Sequence, residues 1–213
     1  MSVVPIVTGD PYDSSIWLVL GDSALLVDTG TGLHTDLVLK SVLRALEGRR
    51  LSAIVLTHCH IDHVGGAAEL SRRFSCPVYI GRTDAEAVRT ADPERTVSRM
   101  FGIDFKPLEV IDLDEGYVFD LGTSRLRVID SPGHTAGGIC LYDEMSGALF
   151  SGDTLFQNGV GRTDFEGGSF PDLCNSLVRL RNVNITTLYP GHGPCCSDGK
   201  ASLEQALQRV GYL

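Results

Sequence analysis

Leu51-Ser52-Ala53-Ile54-Val55-Leu56-Thr57-His58-Cys59-His60-Ile61-Asp62-His63-Val64-Gly65-Gly66 runs from an apolar segment straight into three imidazoles and a carboxylate within six residues. The apolar part reads as a strand. In an extended segment side chains alternate faces, so His58 and His60, two apart, point the same way and can share one ion. Val64-Gly65-Gly66 then turns the chain before Ala67-Ala68-Glu69-Leu70, a helix start. Asp62 and His63 are therefore expected in the turn, where they can face a second ion. Half of the six histidines of the chain fall here, with no apolar face to account for them. Imidazole and carboxylate together suit zinc or another late first-row divalent ion.

Further candidates lie outward along the chain. His134, in Ser131-Pro132-Gly133-His134-Thr135, follows the strand-like Leu126–Ile129. Asp153 follows Ala148–Phe150, and His192, in Pro190-Gly191-His192-Gly193, follows Thr186–Tyr189. Each sits just past an apolar strand pattern, where loops carry function on a rigid sheet. Taken singly, an Asp after a strand or a Pro-Gly-His is an ordinary turn. Their joint occurrence gives them weight. Asp28, in Leu26-Val27-Asp28-Thr29-Gly30, is a further carboxylate at a strand end.

Thr57–Gly66 matches a His-x-His-x-Asp-His signature, and over essentially its whole length the chain resembles the metallo-β-lactamase superfamily. The resemblance implies an α/β fold, a four-layer αββα sandwich, as a single domain over residues 1–213. It implies one ion bound by His58, His60 and His134, a second by Asp62, His63 and His192, and Asp153 bridging them. Hydroxide between the ions would attack an acyl carbon while one metal polarises the carbonyl. Asp62 and Asp153 are the carboxylates nearest the chemistry, with Asp153 guiding a proton to the departing group. Asp28 is expected to orient a ligand histidine or the turn that holds it. Zinc is the first expectation, and the same ligands accept iron or manganese.

Gly152-Asp153-Thr154-Leu155-Phe156 followed by Gly161-Arg162-Thr163-Asp164-Phe165 resembles the glyoxalase II-like branch, including hydroxyacylglutathione hydrolase-like proteins, which implies thioester hydrolysis. The Gly-Arg-Thr-Asp motif also occurs in persulfide dioxygenases, which hold one iron through two histidines and an aspartate, here His58, His134 and Asp153. Pro190–Pro194 is more similar to the hydrolase branch. Arg162 and Asp164 are expected to pair and brace their loop, with substrate contact as the alternative. Glyoxalase II enzymes add a C-terminal helical extension whose basic residues hold glutathione, and Lys200 and Arg209 do not match that set. A glutathione thioester, another thioester, an ester or a lactone are all left open. The superfamily's β-lactamases are typically exported, and no export pattern begins this sequence, so β-lactam hydrolysis is disfavoured.

Composition narrows the classes further. A sequence of 213 residues, 43% hydrophobic and 21% charged, fits one soluble globular domain. No apolar run approaches the roughly 20 residues of a membrane span, and a cytoplasmic location is expected. The net charge of −9 disfavours a nucleic-acid partner, and Arg49-Arg50 and Arg72-Arg73 are pairs too short to change that. The expected partner is a small-molecule thioester or ester, with no membrane; the oligomeric state has no signal. Six cysteines show no Cys-x-x-Cys pair, and Cys59 falls on the face opposite His58 and His60, as a packing residue. Adjacent Cys195 and Cys196 are expected as free thiols.

The coarse pattern is β-rich, then helical, twice over. Strands are expected at Val3–Val7, Ile16–Leu20, Ala24–Asp28, Ile54–Thr57 and Val78–Ile80, then at Glu109–Asp112, Tyr117–Asp120, Arg125–Ile129, Gly138–Tyr142 and Ala148–Ser151. Helices are expected over Leu33–Leu46, with Leu37, Val38, Val42, Leu43 and Leu46 at helical spacing, and over Ala67–Phe74, Asp84–Arg89, Pro171–Leu180 and Ala201–Val210. Pro93–Pro107 carries no clean period and reads as a loop.

Overall fold

The chain builds its first sheet in two styles. In the computed structural model, which describes residues 2–212, β1 (Ser2–Ile6), β2 (Ile16–Leu20) and β3 (Ala24–Val27) form an antiparallel meander. From β3 onward the connections are helical and the strands parallel. Helix α1 (Thr35–Leu46) leads to β4 (Leu51–Leu56). Helices α2 (Ile61–Val64) and α3 (Ala67–Phe74) lead to β5 (Val78–Gly81). Helices α4 (Arg82–Thr90) and α5 (Ser98–Phe101) lead to β6 (Ile111–Leu113). The six strands lie in sequence order.

The second sheet contains β7 (Val118–Asp120), β8 (Arg125–Asp130), β9 (Ile139–Asp143) and β10 (Ala148–Gly152), all antiparallel. A two-stranded ribbon of β11 (Leu155–Phe156) and β12 (Gly159–Val160) follows, then α6 (Phe170–Leu180). The chain returns as β13 (Thr187–Pro190), parallel to β10, and ends on α7 (Gly199–Arg209). Ser169 caps α6 by accepting from the Asp172 amide, and Asp198 caps α7 in the same way through Ala201.

Apolar periodicity explains the layering. Leu25, Val27, Ala53 and Val55 point between the sheets, against Leu126, Val128, Leu141 and Phe150. Their sequence neighbours Leu26, Ile54 and Leu56 point the other way, under Val38 and Val42 of α1 and Leu70 of α3. On the far side Ile129, Cys140 and Leu149 pack against Leu173 and Leu177 of α6 and Leu203 and Leu207 of α7. Strands covered on both faces must be apolar where they are covered, as β3 and the Ala148–Phe150 part of β10 are. Three apolar seams thus separate four layers, α, β, β and α.

The differences from expectation have local causes. Residues 61–64 form a single helical turn rather than an open turn. Helix α5 lies inside the stretch expected as loop. The β11–β12 ribbon is too short to leave a period. In α1 the buried face is Val38, Leu39, Val42 and Leu46, while Leu37 and Leu43 face solvent. No helix among the described residues is long and apolar enough to cross a membrane.

Candidate metal centre

The candidate ligands stand where the two sheets meet at one edge. His58 and His60 follow β4, Asp62 and His63 lie on α2, His134 lies in the β8–β9 connection, Asp153 follows β10 and His192 follows β13. Ile139 at the start of β9 donates its N–H to the Thr57 carbonyl at 2.9 Å, pinning the second sheet to the end of β4. Helix α2 is anchored by the Ile61 N–H on the Thr96 carbonyl at 2.8 Å. Residues far apart in sequence are thereby delivered to one place.

Three groups of donor atoms result, each with its atoms within 4.8 Å of one another: His58, His60 and His134; Asp62, His63 and His192; and His58, His63 and Asp153. His60 Nδ1 lies 2.9 Å from His134 Nε2 and 3.1 Å from His58 Nε2. His192 Nε2 lies 3.0 Å from Asp62 Oδ2. Asp153 stands between the groups, with Oδ1 3.4 Å from His63 Nε2 and Oδ2 3.5 Å from His134 Nε2 and 3.7 Å from His192 Nε2. His60 Nε2, His63 Nε2 and Asp153 Oδ1 are buried with no hydrogen-bond partner. Buried polar atoms in native proteins are rarely left so, and divalent cations among these donors would satisfy His63 Nε2 and Asp153 Oδ1, whereas His60 turns Nδ1 to the other imidazoles and its Nε2 away from them. The donor set fits such ions.

Burial and charge act differently across the cluster. Burial, and after it the neighbouring imidazoles His63, His60 and His134, hold the pKa of His58 well below the ordinary range. Burial pushes His60 down to about 3 and lowers His134 as well. Burial opposes charge on His63 too, but Asp28, Asp62 and Asp153 outweigh it and hold its pKa well above the usual value. Asp62 and Asp153 also resist burial: His63 and the other nearby histidines keep both carboxyls below their usual range. Neutral imidazole and ionised carboxylate are the forms that ligate metal, which His58, His60, His134, Asp62 and Asp153 already favour, while at His63 a cation would have to displace the proton that its three carboxylates favour.

The family model of the metallo-beta-lactamase superfamily matches residues 9–192. The chain belongs to that superfamily. A probable metallo-hydrolase of Methanocaldococcus jannaschii is 36% identical over 191 residues, covering 87% of this chain and 90% of that protein. A hydroxyacylglutathione hydrolase of Rhodopseudomonas palustris is 35% identical over 158 residues, 74% of this chain but 54% of that enzyme. A protein solved in a di-iron-bound form superposes with a TM-score of 0.77 at 33% identity, covering 99% of this chain and 100% of the other. The chain is a metal-dependent hydrolase of the metallo-beta-lactamase superfamily.

Around this superfamily site the supporting contacts are dense. Asp28, itself at a left-handed φ of 61°, accepts the Thr57 N–H at 2.8 Å and sits 2.8 Å from His63 Nδ1. His134 Nδ1 lies 2.7 Å from the Arg162 carbonyl. The Arg162 side chain points elsewhere: Nε and Nη2 both reach Asp164 at 2.6 Å, and the guanidinium stacks 3.9 Å over the Phe165 ring. Gly191 must be glycine, because a Cβ there would collide with Asp153 Oδ1 and His63. Cys59 is buried on the helix side, its Sγ 3.3 Å from the Arg95 carbonyl. All six cysteines are free, and Cys195 is exposed.

Sequence reasoning missed two supports. Asp84, fully buried at the start of α4, accepts from the Cys59 N–H at 3.1 Å, the Thr135 hydroxyl at 2.7 Å and the Gly137 N–H at 2.8 Å. One carboxylate therefore ties the His58–His60 loop to the His134 loop. The segment before β2 ties the remaining pair: Ser14 N–H donates to the Asp62 carbonyl at 3.1 Å and Ser15 N–H to the Gly191 carbonyl at 2.6 Å, while Trp17 Nε1 donates to the Pro190 carbonyl at 3.1 Å. Neither leaves a pattern in the chain. The sixth histidine, His34, lies outside the centre, paired with Asp10 at 2.9 Å.

Proposed function

We propose that the protein is a two-metal thioester hydrolase of the glyoxalase II-like kind, with His58, His60 and His134 holding one divalent ion, Asp62, His63 and His192 a second, and Asp153 between them. The observation that carries this is the pair of donor groups meeting at Asp153, where two donor atoms, His63 Nε2 and Asp153 Oδ1, are buried without partners. Ions held there, zinc by preference with iron or manganese accepted, would acidify a water to near neutrality and polarise the acyl oxygen. Similarity to a hydroxyacylglutathione hydrolase supports thioester chemistry, and the di-iron-bound form of the solved relative supports a site for two ions.

The chain's own groups orient and move protons. With Nδ1 of His134 engaged by the Arg162 carbonyl and Nδ1 of His63 by Asp28, both rings turn Nε2 into the site. Water adds to the acyl carbon, the carbon–sulfur bond breaks, and a carboxylate and a thiol leave. The ionised Asp62 and Asp153 offer carboxylate oxygens to the proton released by that water. Asp153, which lines the cavity beside His134 and His192, passes a proton to the departing sulfur.

The test is metal analysis of the purified protein together with thiol release from acyl thioesters. Two equivalents of zinc, iron or manganese with thioester cleavage is the expected result. One iron with oxygen uptake on glutathione persulfide overturns it in favour of a sulfur dioxygenase centred on His58, His134 and Asp153. Turnover of lactones or oxygen esters with no thiol release overturns the thioester assignment alone.

A further inference from the structure

The wall facing the metal centre is apolar and unusually placed. A cavity of about 400 Å³ opens on His60, Asp62, His134, Asp153 and His192, and its remaining lining is dominated by Val97, Met100, Phe101, Phe156 and Phe165. A second cavity of about 340 Å³ shares Met100 and Phe101 and continues outward between Tyr12, Leu33 and Ile103. The two adjoin at Met100 and Phe101, and taken together they form a groove with the candidate ligands at one end and the surface at the other.

Two features mark this groove as built for a ligand. The first is exposure without charge: Met100, Leu33 and Tyr12 are 63%, 65% and 68% exposed along it, a contiguous apolar strip of the kind that marks a binding surface. The second is strain. Val97, a β-branched residue, holds a left-handed φ of 50° at the point where the chain enters α5. Val97 lines the first cavity with Met100 and Phe101, and the turn is braced by Thr96, whose carbonyl receives the Ile61 N–H of the helix that carries Asp62 and His63. Wall and metal centre are thus one mechanical unit.

The lining also discriminates between the two ends of a thioester. Beyond the His/Asp cluster its one charged group is Arg162, and that guanidinium is engaged by Asp164 and stacked on Phe165. The thiol arms of biological thioesters carry amides and carboxylates, which would lose hydrogen bonds and find no free counter-charge here. A hydrocarbon chain loses nothing. We propose that the groove seats an unbranched aliphatic acyl chain of medium length, running from the metal edge past Phe165, Met100 and Phe101 to Leu33. The substrate class is then a medium-chain acyl thioester; this rests on the thioesterase proposal above.

The test uses the metal-loaded full chain with N-acetylcysteamine thioesters from acetyl to decanoyl, and in parallel calorimetric binding of the free carboxylates acetate and octanoate. The expected result is a rise in kcat/KM of about three- to fourfold per methylene until the groove is filled, the effect of burying one CH2. Octanoate should bind at least tenfold more tightly than acetate. Met100→Asp should lower the octanoyl-to-acetyl ratio in both measurements by at least tenfold, and Met145→Asp, an exposed methionine between β9 and β10, should leave it unchanged. Thioester cleavage that is flat with chain length, together with no preference for octanoate, overturns the groove while leaving the hydrolase assignment standing. No thioester cleavage at all, with octanoate still preferred and that preference lost in Met100→Asp, keeps the groove and overturns the reaction. A ratio equally reduced by Met145→Asp overturns the groove.

Discussion

The two donor groups of the metal centre share one short segment of chain yet differ in kind. His58, His60 and His134 are three enclosed imidazoles, with burial disfavouring charge on each. Asp62, His63 and His192 include a carboxylate, have Asp28 behind His63, and leave the His192 side chain 36% exposed. The first group is a neutral and nearly closed pocket, with only His60 and His134 bordering the cavity that the second group also lines. The second is an anionic shelf open at His192. In the proposed reaction the difference assigns unequal work: the closed group fixes geometry, and the open group, with the wider solvent access at His192, exchanges protons.

Asp153 is where the distinction is lost, because its two oxygens face His63 on one side and His134 and His192 on the other. Asp153→Ala should therefore carry the largest effect, a fall in kcat/KM of at least about a thousandfold with weaker metal retention in both groups, read by turnover and metal analysis. Near-normal metal content with near-normal turnover would show that the groups are independent.

Asp62→Ala separates the groups directly. Metal content should fall from two equivalents toward one, and thioester turnover by roughly a hundredfold or more, while the three-imidazole group keeps its ion. Unchanged turnover would mean that the open group takes no part in the reaction, and the comparison between the groups would lose its chemical content.

How much of this was legible in the chain follows the same division. The His58–His63 cluster announces itself because its candidate ligands are close in sequence and follow a strand. The distal candidates were legible only jointly, as polar residues after successive strand patterns, since His134, Asp153 and His192 meet the cluster through sheet pairing. The main strands followed from apolar alternation. Helices α2 and α5, at four residues each, are too short for a 3.6-residue period to distinguish from turns. Asp84 left no trace because its role is created by three partners 25 to 53 positions away.

Asp84 makes the next prediction, since it joins loops that carry His58, His60 and His134 without reaching an ion. Asp84→Asn keeps the shape but sets an amide N–H₂ against donors, leaving buried N–H groups of Cys59 or Gly137 short of an acceptor. A loss of about 2–4 kcal/mol in stability is expected, with a corresponding drop in Tm. The closed group should loosen more than the open one, so metal titration should show His58-side affinity falling first. A stable variant with normal metal binding would place the bracing elsewhere.

The smallest effect is expected at the Gly161–Phe165 loop, although its motif is the one that points to a branch of the superfamily. The Arg162 and Asp164 side chains pair at the surface, 55% and 64% exposed, where solvent screens ion pairs and their contribution is small. What the loop gives the centre is the Arg162 backbone carbonyl on His134 Nδ1, which a side-chain change does not remove. Asp164→Asn should accordingly leave metal stoichiometry at two and kcat/KM within about twofold of the parent. A large loss would mean that the guanidinium, and not only the carbonyl, holds His134 in place, and the closed group would then depend on a surface ion pair for the geometry that distinguishes it from the open one.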